Sequence, residues 1–105
     1  MDIKFQFPDE QDIQDLLADI SEEDRLEILA LGVDPEWGIR HSISISLDAI
    51  SIRADGHLAC IVGVAEEGEL VSTVYPWLLG TPFMQKFPRK VLYFSRKILN
   101  HFKLS

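Results

Sequence analysis

The dipeptide Asp55-Gly56 separates two strand-like segments and narrows the choice of fold before any other feature is considered. A two-residue type I′ hairpin needs positive φ at both central positions, and an Asp-Gly pair accepts that conformation at low cost. The segments on either side are residues 49–53 and 57–65. We therefore predict that they form an antiparallel hairpin around this turn.

A third strand is predicted to extend the hairpin into a meander. Residues 66–68, with the sequence Glu-Glu-Gly, form the second turn, and residues 69–79 form the strand that follows. Pro76 lies within this strand and cannot donate a ladder hydrogen bond. It therefore indicates either an edge strand or a bulge.

The N-terminal region predicts a short strand followed by two helices. Alternation of Ile3, Phe5 and Phe7 with polar residues is typical of a strand, which Pro8 ends. The first helix begins at Asp9-Glu10, where acids suit the positive end of the helix dipole, and runs to about Ile20. Its apolar stripe consists of Ile13, Leu16, Leu17 and Ile20.

The second helix is predicted between an N-cap at Ser21 and a glycine stop at Gly32. Its apolar residues are Leu26, Ile28, Leu29 and Leu31. A third helix begins with Asp34 as the cap and Pro35 at the first helical position, and runs to about residue 46. The Ser-Ile-Ser-Ile-Ser stretch at residues 42–46 also fits a strand, since its period is two.

The C-terminal quarter predicts a short helical turn at Thr81-Pro82 and a last helix from Pro88 to about Phe102. The order of elements is typical of one α+β domain over residues 1–105. It consists of a short first strand, two or three helices, an antiparallel three-strand meander and a C-terminal helix.

Charge is distributed unevenly along the chain, whose net charge is −7. Residues 1–80 contain all 17 acids and four of the bases. The remaining bases lie after residue 80, where there is no acid, and they are Lys86, Arg89, Lys90, Arg96, Lys97 and Lys103. The two parts either attract each other within one domain or present an acidic face to a basic partner and a basic tail to phosphate. Direct binding to nucleic acid is not expected, because most of the chain would repel phosphate.

Cys60 is the only cysteine, which excludes an internal disulfide and a multi-cysteine zinc site. It lies in an apolar run and is expected to be buried. The sequence has neither an apolar run of about 18 residues nor the pattern of a signal peptide. These features predict a protein of a reducing cytoplasm that does not bind a membrane.

Residues with catalytic potential do not form a recognisable set. The histidines His41, His57 and His101 lack the spacing of metal ligands, and we predict no metal site and no catalytic residue. The aromatic residues either pack in the core or form a ligand pocket. They are Trp37, Trp77, Tyr75 and Tyr93.

Several short motifs add to the order of elements, because they accompany an early Leu-rich helix, a hairpin and a final helix. The motifs are Gly32-Val33-Asp34-Pro35, Gly63-Val64, Pro76-Trp77-Leu78-Leu79-Gly80-Thr81, Pro88-Arg89, Ser95-Arg96 and Ile98-Leu99. In these motifs the chain resembles GNAT-like (N-acetyltransferase-like) phage proteins, which include an internal virion protein of podoviruses. The resemblance covers essentially all of the chain and about the first two-thirds of the family. It implies the N-terminal half of a GNAT-like fold, in a phage or prophage protein of the host cytoplasm or the virion.

The resemblance also implies where acetyl-CoA would bind, between the last meander strand and the strand and helix that follow. GNAT proteins hold the pyrophosphate with an Arg/Gln-x-x-Gly-x-Gly/Ala segment. Residues 81–90 lack these glycines, and two prolines there remove amide donors. Lys86, Arg89 and Lys90 could contact the CoA phosphates. Because the family's next strand is missing, we expect a degenerate scaffold that does not catalyse acetyl transfer.

The missing strand implies an exposed edge on the last strand of the meander, which invites pairing with a protein partner or with a second copy. We predict that this edge is formed by Glu69, Val71, Thr73, Tyr75 and Trp77. Two alternatives remain open. One is an acetyl-CoA-dependent N-acetyltransferase completed by dimerisation, and the other is an acidic inhibitor of a host nucleic-acid-binding complex.

Overall fold

The structure, a computed structural model, describes residues 2–67 and 73–83. This part of the chain forms a mixed α+β fold of three helices and a four-strand antiparallel sheet, which confirms the α+β part of the predicted fold class. Its elements are β1 (Ile3–Gln6), α1 (Glu10–Asp19), α2 (Glu22–Ala30), α3 (Pro35–Ile45), β2 (Ser46–Ala54), β3 (His57–Glu67) and β4 (Thr73–Gly80). The predicted C-terminal helix, residues 88–102, lies outside the described residues, as do Tyr93 and His101.

The four strands form one antiparallel sheet in the order β1-β2-β3-β4. Asp55 and Gly56 join β2 to β3 with φ values of 52° and 82°, so the predicted hairpin turn is confirmed. Both strands of this hairpin are longer than the apolar pattern indicated. Ser46 pairs with Ala65 at the start of β2, and the predicted turn residues Glu66 and Glu67 belong to β3.

Each helix begins at the residue that the sequence indicates. The side chains of Asp9, Ser21 and Asp34 accept hydrogen bonds from the backbone N–H three residues later. Gly32 follows the end of α2 with a φ of 77°. These caps satisfy N–H groups that a helix cannot pair internally, so the boundaries of the helices are determined locally.

The strand interpretation of residues 42–46 is wrong, because α3 continues to Ile45. The serine hydroxyls there find acceptors within the helix. Ser44 Oγ donates to the His41 carbonyl at 2.7 Å, and Ser46 Oγ donates to the Ser42 carbonyl at 2.6 Å. Ile39 is buried and Ile43 packs against the same core cluster. The helical period therefore places both isoleucines on the core side.

Apolar residues are buried on both faces of the sheet. On the side of the helices, a cluster contains Ile13, Leu16, Ile39, Leu58 and Ile61. A second cluster contains Ile52, Ala59, Cys60 and Val62, with Leu78 packed against it. Cys60 is buried, as predicted. Because β3 contributes to both clusters, it reads as a nearly continuous apolar run.

Candidate functional site

The densest group of polar side chains surrounds Asp12, which is completely buried. Asp12 Oδ2 accepts from Ser51 Oγ at 2.5 Å and from Gln6 Nε2 at 2.8 Å. Asp12 Oδ1 accepts from Arg53 Nε at 2.8 Å. A second carboxylate, Asp15, accepts from Arg53 Nη2 at 2.7 Å. This cluster joins α1 to β1 and β2.

The protonation of Asp12 is held in one state by these contacts. Burial raises the pKa of its carboxyl group, but the hydrogen bonds from Ser51, Gln6, the Asp9 backbone and Arg53 lower it by more. The net pKa lies below the usual value of 3.8. A carboxylate that is buried, ionised and bonded through both oxygens is poorly suited to exchange protons with a substrate. We therefore assign the cluster to stability rather than to catalysis.

This assignment predicts a loss of stability in acid. Because the folded pKa of Asp12 is lower than the unfolded value, its contribution is complete above the unfolded pKa and lost as pH falls through the folded one. We expect the urea midpoint to drop between about pH 5 and about pH 2. The variant Asp12→Asn should show a shallower drop over the same interval. Equal pH slopes in the two proteins would contradict the assignment.

A cavity of about 530 Å³ lies beside this cluster, lined in part by Asp15, Asp19, Arg53, His57 and Phe83. Arg53 is the only arginine or lysine among its described lining residues. Its guanidinium is already bound to both carboxylates of the cluster and, through Nη1, to the Gly56 carbonyl at 3.1 Å. The described lining therefore offers no uncommitted guanidinium or ammonium group for a phosphate. Lys86, Arg89 and Lys90, the predicted CoA contacts, lie outside the described residues.

The motif at residues 76–81 has a structural role at almost every position. Trp77 packs over Gly63 so closely that a Cβ built on this glycine would lie 2.5 Å from the indole ring. Trp77 Nε1 donates to Ser46 Oγ at 2.7 Å, while the same hydroxyl donates to Ser42. The indole is thus held against the sheet and against the end of α3. Leu79 packs against the cluster on the helix side.

The end of the motif ties β4 to its neighbours. Gly80 N donates to Asp24 Oδ2 at 2.8 Å, and the Gly80 carbonyl accepts from Ser21 N at 2.8 Å. Thr81 N donates to the Ala59 carbonyl of β3 at 3.0 Å. Gly80 therefore directs its backbone away from β3, toward the start of α2, whereas Thr81 directs its backbone toward β3.

Alternation along an antiparallel strand extends this assignment to the rest of β4. Val74, Pro76 and Leu78 share the direction of Gly80 and turn their backbone groups to the outer edge of the sheet. Pro76 lies there without loss to the ladder, and no register shift interrupts the pairing of β3 with β4. Among the described strands β4 is the outermost, so within residues 2–67 and 73–83 Pro76 lies in an edge strand and its pairing with β3 has no bulge.

Three of the predicted edge residues lie on β4, the last strand of the described sheet. Glu69 and Val71 lie outside the described residues. Thr73, Tyr75 and Trp77 pair with β3 and direct their backbone groups toward it, because they alternate with Pro76. The outer edge within the described part of β4 consists of the backbone groups of Val74, Pro76 and Leu78. Since Pro76 has no N–H and Gly80 is bonded to α2, only Val74 and Leu78 offer both a donor and an acceptor.

An apolar groove of about 280 Å³ lies between α2, α3 and β4. Its lining includes Ile28, Leu31, Trp37, Trp77 and Leu79. Leu31 is 79% exposed and Trp37 is 53% exposed, although both are large apolar residues. Two aromatic residues that the sequence offered as either core or pocket, Trp37 and Trp77, thus meet in one groove. Sequence reasoning grouped Leu31 only with the apolar residues of α2 and missed its exposure.

One rim of the groove carries an aromatic stack. The rings of Trp37 and His41 are 4.4 Å apart between centroids and 11° from parallel. They lie four residues apart on α3, a spacing that places both side chains on one helix face. We regard this groove, together with the outer edge of β4, as the candidate site.

Comparison with family models, with curated proteins and with solved structures finds no match for this chain. The resemblance to GNAT-like phage proteins therefore stays a prediction from sequence motifs. Within residues 2–67 and 73–83, no grouping of His, Cys, Asp and Glu has the arrangement of a metal site. No helix in that part of the chain is long and apolar enough to cross a membrane.

Proposed function

We propose that this chain is a non-catalytic, protein-binding scaffold of GNAT-like type, from a phage or prophage. A partner would dock in the groove between α2, α3 and β4 and continue along the outer edge of β4. The observation that carries the proposal is the exposure of Leu31 and Trp37 at an apolar groove beside a sheet edge. Large apolar groups that remain in water at such a place mark surfaces that become covered on binding.

The lining of the groove favours a protein partner. The groove has a volume of about 280 Å³, and two tryptophans, Trp37 and Trp77, contribute to its lining. The tryptophan-rich lining is typical of the residues that dominate the energetics of protein interfaces. The indole ring of Trp77 is held in place by its contact with Gly63 and by its hydrogen bond to Ser46.

The arrangement of β4 favours a different partner over a second copy. Symmetric pairing of two β4 strands about Pro76 would set each proline ring against the other copy's Pro76 carbonyl. Symmetric pairing about Leu78 would need Gly80, whose backbone groups are already bonded to Ser21 and Asp24. A strand from a different protein is not bound by this symmetry. It can pair with the outward backbone groups of Leu78 without facing a second Pro76 or needing the backbone of Gly80.

The element order supports the GNAT-like part of the proposal. A short strand, helices and an antiparallel meander follow one another as in the N-terminal half of that fold. The resemblance to GNAT-like phage proteins implies that the partner is a virion protein or a protein of the host.

Site-specific photo-crosslinking tests the proposal. A photoreactive phenylalanine analogue replaces Leu31 in the groove or, as a matched control, Lys4 in β1 at the opposite edge of the sheet. In extract of the cells that naturally make the protein, we expect a discrete crosslinked product from position 31 and none from position 4. Excess unlabelled protein should suppress the product, whereas excess of the Trp37→Ala variant should compete at least about tenfold less well.

Two outcomes would contradict the proposal. One is the same set of products from positions 31 and 4, which would mark them as nonspecific. The other is equal competition by the Trp37→Ala variant, provided that its thermal unfolding matches that of the unchanged protein. Sedimentation equilibrium adds a separate check on the partner. A dimer that persists in the Trp37→Ala variant would place self-association elsewhere.

A further inference from the structure

We infer that the segment bound in this groove carries a large apolar side chain next to an arginine or lysine. The inference rests on the proposed function and adds the chemistry of the partner. Three features of the groove and its rim lead to it: the apolar lining, the unpaired acids of α2 and the exposed face of Trp37.

The lining of the groove favours an apolar side chain. Ile28, Leu31, Val33 and Leu79 contribute only apolar side-chain groups. The described lining also includes Glu27, His41 and Ser42, and the indole N–H of Trp77 is already bonded to Ser46. A polar side chain placed against the apolar part would lose its hydrogen bonds to water without replacement, which is costly.

The rim of the groove carries uncompensated negative charge. Glu27 lines the groove, and Glu23 lies one turn earlier on the same face of α2. Neither of them forms an ion pair or a hydrogen bond with another described side chain. Glu27 therefore remains available to a cation of the partner.

The arginines of α2 and α3 cannot neutralise this rim, because each is already paired. Arg25 Nη2 lies 2.7 Å from Glu22 Oε1. Arg40 lies 2.6 Å from a carboxylate oxygen of Glu10 and 3.0 Å from one of Glu36. Its hydrogen bond to Glu10 is the main cause that lowers the pKa of that carboxyl from 4.5 to about 2.

Trp37 provides a second contact for a cation. Its ring stacks in parallel on His41, yet 53% of the residue remains exposed. An arginine or lysine placed over the exposed part of the indole is attracted by the electrons of the ring. Since Trp37 and Glu27 line the same groove, one basic side chain can approach both.

The backbone of the bound segment is extended where it meets β4. Leu78 offers its N–H and C=O outward, which provides one pair of strand hydrogen bonds. The contact stays short because Pro76 has no donor and Gly80 is bonded to Asp24 and Ser21. Affinity must then come mainly from side chains rather than from a long ladder.

Three synthetic peptides test the inference on the full chain. The probe is a blocked nine-residue peptide with alternating phenylalanine and arginine at its centre and serine elsewhere. The first control has glutamate in place of arginine, and the second has serine in place of phenylalanine. By isothermal titration calorimetry at low salt, we expect the probe to bind at least about tenfold more tightly than either control. Its advantage over the glutamate peptide should shrink as salt is added.

Two variants test whether the probe peptide binds in the groove. Glu27→Gln should weaken binding of the probe by about three- to fivefold at low salt, as expected for one exposed charge pair. Asp2→Asn removes the same charge beside β1, at the opposite edge of the sheet, and should leave the affinity unchanged. Equal binding of the probe and the glutamate peptide, no binding of the probe at millimolar concentration, or equal effects of the two variants would overturn the inference. If the crosslink from position 31 is nevertheless specific, only the partner's chemistry is wrong and the proposed function stands.

Discussion

Replacing Asp12 with asparagine is expected to lower the free energy of unfolding by about 3 kcal/mol, because it leaves the mostly buried Arg53 guanidinium with one carboxylate partner instead of two. The side chain of Arg53 is only 16% exposed, so water compensates little for the lost charge. An asparagine amide would also direct an N–H group at neighbours that donate to the present carboxylate, among them Ser51 and Gln6. Urea unfolding at neutral pH measures the change.

A matched control uses the second carboxylate of the same cluster. Asp15 bonds to the same guanidinium, but its side chain is 37% exposed. For Asp15→Asn we expect a loss of at most about 1 kcal/mol, since solvent reaches the Asp15 carboxylate and screens this pair. Equal losses for the two variants would mean that the burial of Asp12 is not what makes it important.

Replacing Gly63 with alanine is expected to cost about 2–3 kcal/mol, because the added methyl group would overlap the ring of Trp77. The nearest indole atoms lie 2.5 Å from the position of the new Cβ, and the ring is also held by Ser46. The variant should displace Trp77 and so distort the groove. Thermal unfolding measures the stability, and loss of the crosslink from position 31 reports on the groove.

A double-mutant cycle distinguishes this clash from an effect on the strand itself. If the overlap with Trp77 is the cause, Gly63→Ala should cost at least about 1 kcal/mol less in a Trp77→Leu background. Gly38→Ala is the matched control, because Gly38 lies in α3 and the new methyl group would come no closer than 3.2 Å to a side-chain atom, one of Ile28. The higher helix propensity of alanine should offset that contact, so we expect little change in stability. An unchanged cost of Gly63→Ala in the Trp77→Leu background would contradict the assigned role of the tryptophan.

The buried cluster and the groove differ in whether their charged side chains have partners within the protein. The carboxylates of Asp12 and Asp15 and the guanidinium of Arg53 are all bonded to one another, as expected of charges in a water-poor environment. At the groove, Glu27 and the exposed part of Trp37 remain available. The groove is therefore the better candidate for binding a partner, since it has a carboxylate without an ion pair in the part of the chain that the structure describes, and large apolar side chains exposed to water.

The long-range part of the candidate site could not be read from the sequence. Leu31 and Leu79 are 48 positions apart, and only the docking of α2 and α3 on the sheet brings them to one groove. The sequence placed Leu31 among the apolar residues of α2 but did not indicate that its side chain is exposed. The outer edge of β4 required hydrogen-bond directions, which the side-chain pattern of an isolated strand does not contain.

Features that depend on residues a few positions apart could be predicted from the sequence. The Asp55-Gly56 turn, the caps at Ser21 and Asp34 and the end of α2 at Gly32 all lie where the sequence indicates. Each depends on the φ that a residue accepts or on a side chain that reaches a backbone N–H three residues away.

Features that depend on residues far apart in the chain could not be predicted from any single segment. The extra length of β2 and β3 comes from the partners that each strand finds on the other. The pairing of Asp12 with Arg53, 41 positions apart, and the fit of Trp77 over Gly63 depend on burial and close packing. Such contacts arise when distant segments exclude water together, and no short stretch of sequence carries that information.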